Sequence, residues 1–406
     1  MRILWISPRQ CWPPHSGAKL RDYHCAKALG NAGQLTYVHF REPEAKSPSL
    51  SDMPFCRRII SLNKPSSYTV GKLIRGVVGP WPLPILNYYS EEMSDVIEQV
   101  KGEENFDIVH FDSVHLAPYE SLFRDSRNPV TRSVFDWHNI ESQAMKRYSL
   151  EAKSVARKLY ARTVVPRLQE LETVLLKEAF GHIVCSKREE AELRTRAPGA
   201  RIAEIPNGVD TTSLTTRNPA EFRWPPRNII FVGAMNYYPN IDAATWFARE
   251  VWPRLRSLFS GCRLTLVGSD PVPAVLALRD IEGVEVTGTV DDVGQFYREA
   301  DVALVPLRLG GGTRLKILEA MAAGVPVIST PVGAEGLEVQ PDRNILLAEE
   351  RKPETWVQAM RSLGASERRR QEITASAKQL VRERYEWTVI GKLLCETYLD
   401  WCDSSR

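Results

Sequence analysis

The sequence lacks the signatures that announce most cofactor and metal chemistry. None of its seven cysteines (Cys11, Cys25, Cys56, Cys185, Cys262, Cys395, Cys402) forms a Cys-x-x-Cys pair, so neither a zinc ribbon nor a disulfide framework is indicated. Reduced thiols in a cytoplasm are the simplest reading. The first apolar run is followed by Ser7-Pro8-Arg9-Gln10, not by Gly-x-Gly-x-x-Gly, which argues against an NAD or FAD enzyme. There is no Gly-Lys-Ser/Thr loop and no Asp-x-Asp motif, so no metal site is expected. No run approaches the roughly 20 apolar residues of a membrane span. Met1–Ile6 is too short for a signal core, and no secretory signal is expected. A net charge of +3 is too small to argue for nucleic acid.

What the sequence does contain is alternation. Short apolar runs and helical patterns follow one another along all 406 residues, the mark of an α/β protein with helix-covered parallel sheets. Ile3–Ile6, Leu35–Phe40, Ile108–Phe111, Ser133–Phe135 and His182–Cys185 read as strands of a first half. Ile229–Val232, Arg263–Val267, Val284–Thr287, Val302–Val305 and Val325–Ile328 read as strands of a second. The polar, proline-containing stretch Thr211–Arg227 separates them. Ligands of open parallel sheets bind beyond the carboxyl ends of the strands, so a ligand between the halves is expected.

The densest signal is Gly310-Gly311-Gly312-Thr313-Arg314-Leu315-Lys316-Ile317-Leu318-Glu319, a glycine loop leading into a helix. Glycines let backbone N–H groups approach a ligand, and a helix start favours an anion. Arg314 and Lys316 place cations where they oppose the helix dipole, a conflict that a bound phosphate would remove. Glu319 projects from the same helix face as Lys316. A surface turn before an ordinary amphipathic helix is the competing reading. Gly17, in Ser16-Gly17-Ala18-Lys19, is a second glycine at a helix start, where it either approaches a phosphate or simply turns the chain.

The order and spacing of several motifs resemble the retaining glycosyltransferases of family 4. They are Val184-Cys185-Ser186, Ile205-Pro206-Asn207-Gly208-Val209-Asp210, Phe231-Val232-Gly233, Gly288-Thr289-Val290, Leu304-Val305-Pro306, the glycine loop, Pro331-Val332-Gly333 and Tyr385-Glu386-Trp387. The resemblance implies a GT-B fold: two Rossmann-like domains, 1–210 on the acceptor side and 211–384 on the donor side, facing across a central cleft. Residues 385–406 then form a helix that crosses back to the first domain. It implies sugar transfer from a nucleotide sugar, a UDP- or GDP-sugar by expectation, to a glycan, lipid-linked or small-molecule hydroxyl with retention of configuration. Glu319 matches the second glutamate of the family's paired motif, which binds the donor ribose. Gly288, Thr289 and Val290 match the nucleobase segment, Gly17 the loop near the diphosphate, and His138 a histidine near the reacting sugar.

Two departures stand out. Gly311 occupies the place of the family's first glutamate, and Gly233–Asn240 carries no cation where many members have Arg and Lys. Arg314 and Lys316 are the replacements, helped by amides of Gly310 to Thr313. Metal-independent stabilisation of the leaving diphosphate follows as an expectation, with no resident cofactor. Arg9, Arg21 and Glu141 are further candidates to orient phosphate or acceptor. A silent GT-B scaffold, an epimerase or a phosphorylase is the alternative. Met53–Ser90 and Met145–Gln169 are basic, and the first is interleaved with Trp81, Tyr88 and Tyr89. A peripheral position on an anionic membrane, at the inner face, competes with a merely solvated charged surface.

Overall fold

A computed structural model describes residues 1–14, 16–67, 69–124, 131–151, 155–212, 214, 223–310 and 314–403. Two compact units share the chain: Met1–Pro206 with Ile390–Arg406, and Asn207–Val389. Each is Rossmann-like, a parallel sheet covered by helices. No helix of the described residues is long and apolar enough to cross a membrane.

The first sheet contains β1 (Arg2–Ser7), β2 (Gln34–Arg41), β3 (Arg58–Asn63), β4 (Ile108–Phe111), β5 (Arg132–Trp137), β6 (Gly181–Val184) and β7 (Ile202–Glu204). Their spatial order is β3-β2-β1-β4-β5-β6-β7, parallel throughout. Ile3 pairs with Leu35 on one side and with Ile108 on the other. Helices cover both faces, which is why these strands read as continuous apolar runs and not as alternating ones. The second sheet contains β8 (Asn228–Val232), β9 (Arg263–Val267), β10 (Val284–Val286), β11 (Val302–Val305), β12 (Val327–Ser329) and β13 (Leu346–Leu347). Its order is β10-β9-β8-β11-β12-β13. In both sheets the winding reverses once, between β1 and β4 and between β8 and β11. A crevice opens at such a reversal, beyond the carboxyl ends of the two strands.

The ten strands expected from the sequence are all present, with ends shifted by one or two residues. β3, β7 and β13 are additional, and each lies toward or at a sheet edge. The unit boundary falls after Pro206 and again after Val389. Arg21 of the first unit holds the carbonyls of Ile205 and Pro206, at 2.7 and 3.3 Å. Beyond them, Val209 N–H donates to the Tyr385 carbonyl at 2.8 Å and Thr211 N–H to Glu386 at 3.1 Å, within the second unit. Most of the stretch read as a linker, 213 and 215–222, lies outside the described residues.

The helix Trp387–Asp403 joins the core of the first unit from Ile390 onward. Tyr398 is fully buried and shares a 2.6 Å hydrogen bond with His110, whose ring stacks on Trp5 at 3.6 Å. Burial pushes His110 down to about 3, so the bond is between neutral groups. Gly391 meets Ala28, and Gly181 on β6 meets the Trp401 ring; a Cβ on Gly181 would fall 2.5 Å from that ring. Gly181→Ala should therefore destabilise the protein by about 1–3 kcal/mol, the usual cost of overpacking. Urea denaturation followed by tryptophan fluorescence measures it, and an unchanged midpoint would argue against this docking.

Candidate active site

In the second unit, the reversal between β8 and β11 places three loops together. The β8 strand ends at Val232 and turns at Gly233, whose N–H donates to the Val267 carbonyl at 2.9 Å. A helix then runs Tyr238–Trp246, with Asn240 in its first turn. The loop after β11 reaches Gly310, which has φ +105° and lies against Pro239; a Cβ there would come within 3.1 Å of the proline ring. Arg308 fixes this approach with a two-point pair to Asp242, at 2.9 and 2.6 Å, and lies over Trp246.

The helix Leu315–Ala323 follows, with Ile317, Leu318, Ala320, Met321, Ala322 and Ala323 buried. Only Leu315, Lys316 and Glu319 keep partial exposure. The buried surface is wider than a single stripe because the helix lies inside the sheet's own cover. Lys316 Nζ donates to Asn240 Oδ1 at 2.8 Å and sits 4.7 Å from the centre of the Phe231 ring. Asn240 is itself oriented by its Nδ2–H donating to the Ala234 carbonyl at 2.9 Å. Gly233 leaves the room: a Cβ there would lie 2.6 Å from Lys316 Nζ. Burial, with the Arg314 charge added, pushes Lys316 down to about 7, while Glu319 pulls it the other way.

Glu319 Oε2 accepts from the Tyr297 hydroxyl at 3.0 Å. Burial raises the Glu319 carboxyl; Tyr297 and Lys316 oppose that rise. Arg314 precedes the helix and is 5% exposed. Its guanidinium donates to the carbonyls of Gly310 and Val332 at 3.1 and 3.2 Å, so it ties Gly310 to the segment after β12. Gly311, Gly312 and Thr313 lie outside the described residues. Gly288, with φ +82°, Thr289 and Val290 follow the edge strand β10.

The first unit brings together a different set. Helix α1 (Gly17–Ala32) starts at Gly17 and carries Arg21 and Asp22 inward. Asp112 follows β4 and His138 follows β5. His138 Nε2 lies 3.2 Å from Asp112 Oδ1, 3.1 Å from the Asp112 carbonyl and 3.5 Å from Asp22 Oδ1. The Asp112 carbonyl can only accept. The network therefore assigns the proton to Nε2 and leaves Nδ1 as the nitrogen with the lone pair. Ser7 donates to Asp112 Oδ2 at 2.7 Å, and Arg9 stands 3.8 Å from Asp22. Asp22 is fully buried beside Asp112.

Burial and the neighbouring Asp112 hold Asp22 well above the usual carboxylate range. Burial pushes Asp112 up to about 7. Two carboxyls so placed do not both ionise readily, and the pair retains a proton at neutral pH. Burial also lowers His138, against the pull of Asp136 and Asp22. Donor atoms of Asp22, Asp112 and His138 lie within 4.8 Å of one another, a spacing that a cation could bridge. Arg9 already supplies positive charge beside them.

Residues 28–213 match Glycosyltransferase Family 4, and residues 226–366 match Glycosyl transferases group 1. The two matches follow one another along most of the chain, one on each unit. The chain is a group 1, family 4-like glycosyltransferase. It is 24% identical over 244 residues to a glycogen synthase of Mycobacterium tuberculosis, covering 57% of this chain and 57% of that protein. The chain thus spans little more than half the length of the curated relative it matches. Its fold is that of sucrose-phosphate synthase from Thermosynechococcus elongatus, with TM-score 0.70 and 18% identity over all of both chains. It is also that of Anabaena HepE in complex with UDP and glucose, with TM-score 0.65 and 15% identity over 98% of this chain and 100% of the other.

Within this GT-B protein, Lys316 and Glu319 share one helix face, with Gly310 close to its start. Arg314 is turned to backbone carbonyls. His138 and Gly17 belong to the first unit. Arg21, expected to reach a ligand, is instead fully buried in a two-point pair with Asp136, at 2.8 and 3.0 Å. Burial alone would raise Asp136, but the Arg21 guanidinium outweighs it and holds the carboxyl below its ordinary range. Glu141 lies 3.9 Å from His115. Asn240, Asp22 and Asp112 were not singled out by the motifs, and Tyr297 lay in one, Tyr297-Arg298-Glu299-Ala300-Asp301-Val302, without a role, because each acts through another side chain.

The Asp112 carboxyl rises from 3.8 to about 7 on folding, so the folded state binds more protons than the unfolded chain in that interval. Its contribution to stability is complete below the lower value and is lost as pH rises through the upper one. Asp112→Asn removes this loss. The variant should gain about 2 kcal/mol on the wild type between about pH 5 and about pH 8. Parallel stability curves, from urea titrations across that range, would count against the buried carboxyl pair.

Proposed function

We propose that the chain transfers a sugar from a uridine or guanosine diphosphate sugar to a hydroxyl of a glycan, lipid-linked or small-molecule acceptor, with retention and without a metal ion. The observation that carries this reading is Lys316. It is an ammonium lowered to about 7, held by a neutral amide at the mouth of a helix, against a glycine whose missing side chain leaves it room. A diphosphate supplies the charge that this site lacks.

In this reading Lys316 binds the diphosphate and stabilises the charge that builds on it as the glycosidic bond breaks. Arg314 acts by shaping the loop, whose Gly311, Gly312 and Thr313 amides are the further donors. Tyr297 orients Glu319 toward the ribose hydroxyls. The segment Gly288 to Val290 takes the base. His138 is assigned hydroxyl recognition on the sugar side of the reaction, with Nδ1 as acceptor and Asp112 fixing the tautomer. Retention needs no protein nucleophile if the acceptor attacks from the face that the diphosphate leaves. Positioning then supplies much of the rate.

Incubation with UDP- and GDP-sugars, with products followed by mass spectrometry, tests the reading. Nucleotide release should persist in EDTA and fall about 10²–10³-fold in Lys316→Ala, the loss typical of one stabilising donor. The variant should melt close to the wild type. Full turnover in Lys316→Ala would move the donor site elsewhere. Bound diphosphate should also return Lys316 to its charged form. Nucleotide binding near about pH 8 should therefore take up a proton. Calorimetry in two buffers of different ionisation enthalpy reads this directly, and identical heats would exclude Lys316 as the phosphate ligand.

A further inference from the structure

The two basic stretches of the first unit meet. Arg167, on the helix Val155–Glu178, donates to the carbonyls of Gly76 and Gly79 at the end of the helix Val70–Val78. The structure also changes which residues of the first stretch matter. Arg57 and Lys64 are paired with Glu104 and Glu42 at 3.2 and 2.9 Å, and Arg58 with Glu103. Trp81, Tyr88 and Tyr89 pack against the core. Lys72 and Arg75 have no acidic partner among the described residues.

The exposed apolar side chains lie on the short helix instead. Val70, Leu73 and Ile74 are 73%, 44% and 59% exposed, and their spacing of three and four puts them on one face. Gly76 backs onto Leu83, where a Cβ would come within 3.0 Å, so the apolar face is turned outward. Thr69 caps the helix start, accepting from Lys72 N–H at 3.3 Å, which keeps the short helix wound. Lys72 Nζ is shielded from water, so the cation that this face presents is the exposed Arg75.

We propose that the outward face of the helix Val70–Val78 is a docking surface for an anionic lipid bilayer. Val70, Leu73 and Ile74 enter the acyl boundary, while the exposed Arg75 meets a lipid phosphate. Three apolar residues at helical spacing beside an exposed cation fit an interfacial helix. A second copy of the chain fits less well. A two-fold contact on this face would bring Arg75 toward its own copy, with no acidic residue between Met53 and Ser90 to offset the charge. The inference is independent of the proposed chemistry, since it uses none of the residues assigned to sugar transfer.

Sedimentation of the full chain with vesicles of phosphatidylcholine, alone or with phosphatidylglycerol, tests it. Binding should require phosphatidylglycerol and weaken in high salt. It should fall at least about tenfold in Leu73→Asp/Ile74→Asp, which removes the apolar anchor, and about fivefold in Arg75→Ala. Both variants alter exposed side chains, and nucleotide binding should not change in either. Absence of sedimentation at low salt, or equal binding by the double variant, would overturn the proposal. So would a wild-type dimer on size exclusion that the double variant dissolves.

Discussion

Much of this molecule follows from the expense of keeping a charge away from water. At the reversal of the second sheet, one ammonium is taken out of solvent and given a neutral partner, Asn240, together with the face of an aromatic ring. At the reversal of the first, one guanidinium is taken out of solvent and given a carboxylate and two carbonyls. The satisfied charge, Arg21, holds structure together. The unsatisfied one, Lys316, is left ready for a ligand. The same comparison separates Arg314, whose guanidinium donates to the backbone carbonyls of Gly310 and Val332, from Lys316, although the two stand two residues apart.

Parallel topology makes these arrangements possible. Each strand enters the sheet from the same end, so every loop after a strand opens on one edge. Where the winding reverses, two of those loops diverge and leave backbone amides and side chains without a neighbour to cover them. Ser7, Asp112 and His138 gather at one such edge. Gly233, Asn240 and Gly310 gather at the other. The glycines hold positions where a side chain would displace what binds there: at Gly233 a single methyl group would occupy the space of the lysine head.

The sequence made the scaffold legible wherever strands were buried on both faces. β1, β8 and β11 hold the unbroken apolar runs Ile3–Ile6, Ile229–Val232 and Val302–Val305, and β4 is interrupted only by the buried His110. β13 has two residues, and β3 begins Arg-Ile-Ile-Ser with partial exposure, so neither carries enough apolar signal. At the site, residues in glycine loops were visible because their pattern is local. The roles of Asp22, Asp112, Asn240 and Tyr297 were not, since what matters in each is a partner between 22 and 116 positions away, as in Tyr297 with Glu319 or Asp22 with His138. Arg21 was misjudged for the same reason: nothing near it in sequence announces Asp136.

The docking of Tyr398 onto His110 also bears on how the chain acquires its structure during synthesis. Residues Asn207–Val389 leave the ribosome as a continuous segment that already contains all six strands of its own sheet. The first unit emerges earlier, yet Ile390, Leu394 and Tyr398, which are buried in it, are made only after the whole of the second. The half of the protein synthesised first is therefore the half completed last. Until the helix Trp387–Asp403 arrives, the cover over His110 stays open, and a ribosome that stalls before Ile390 is translated leaves an apolar seam for chaperones to find.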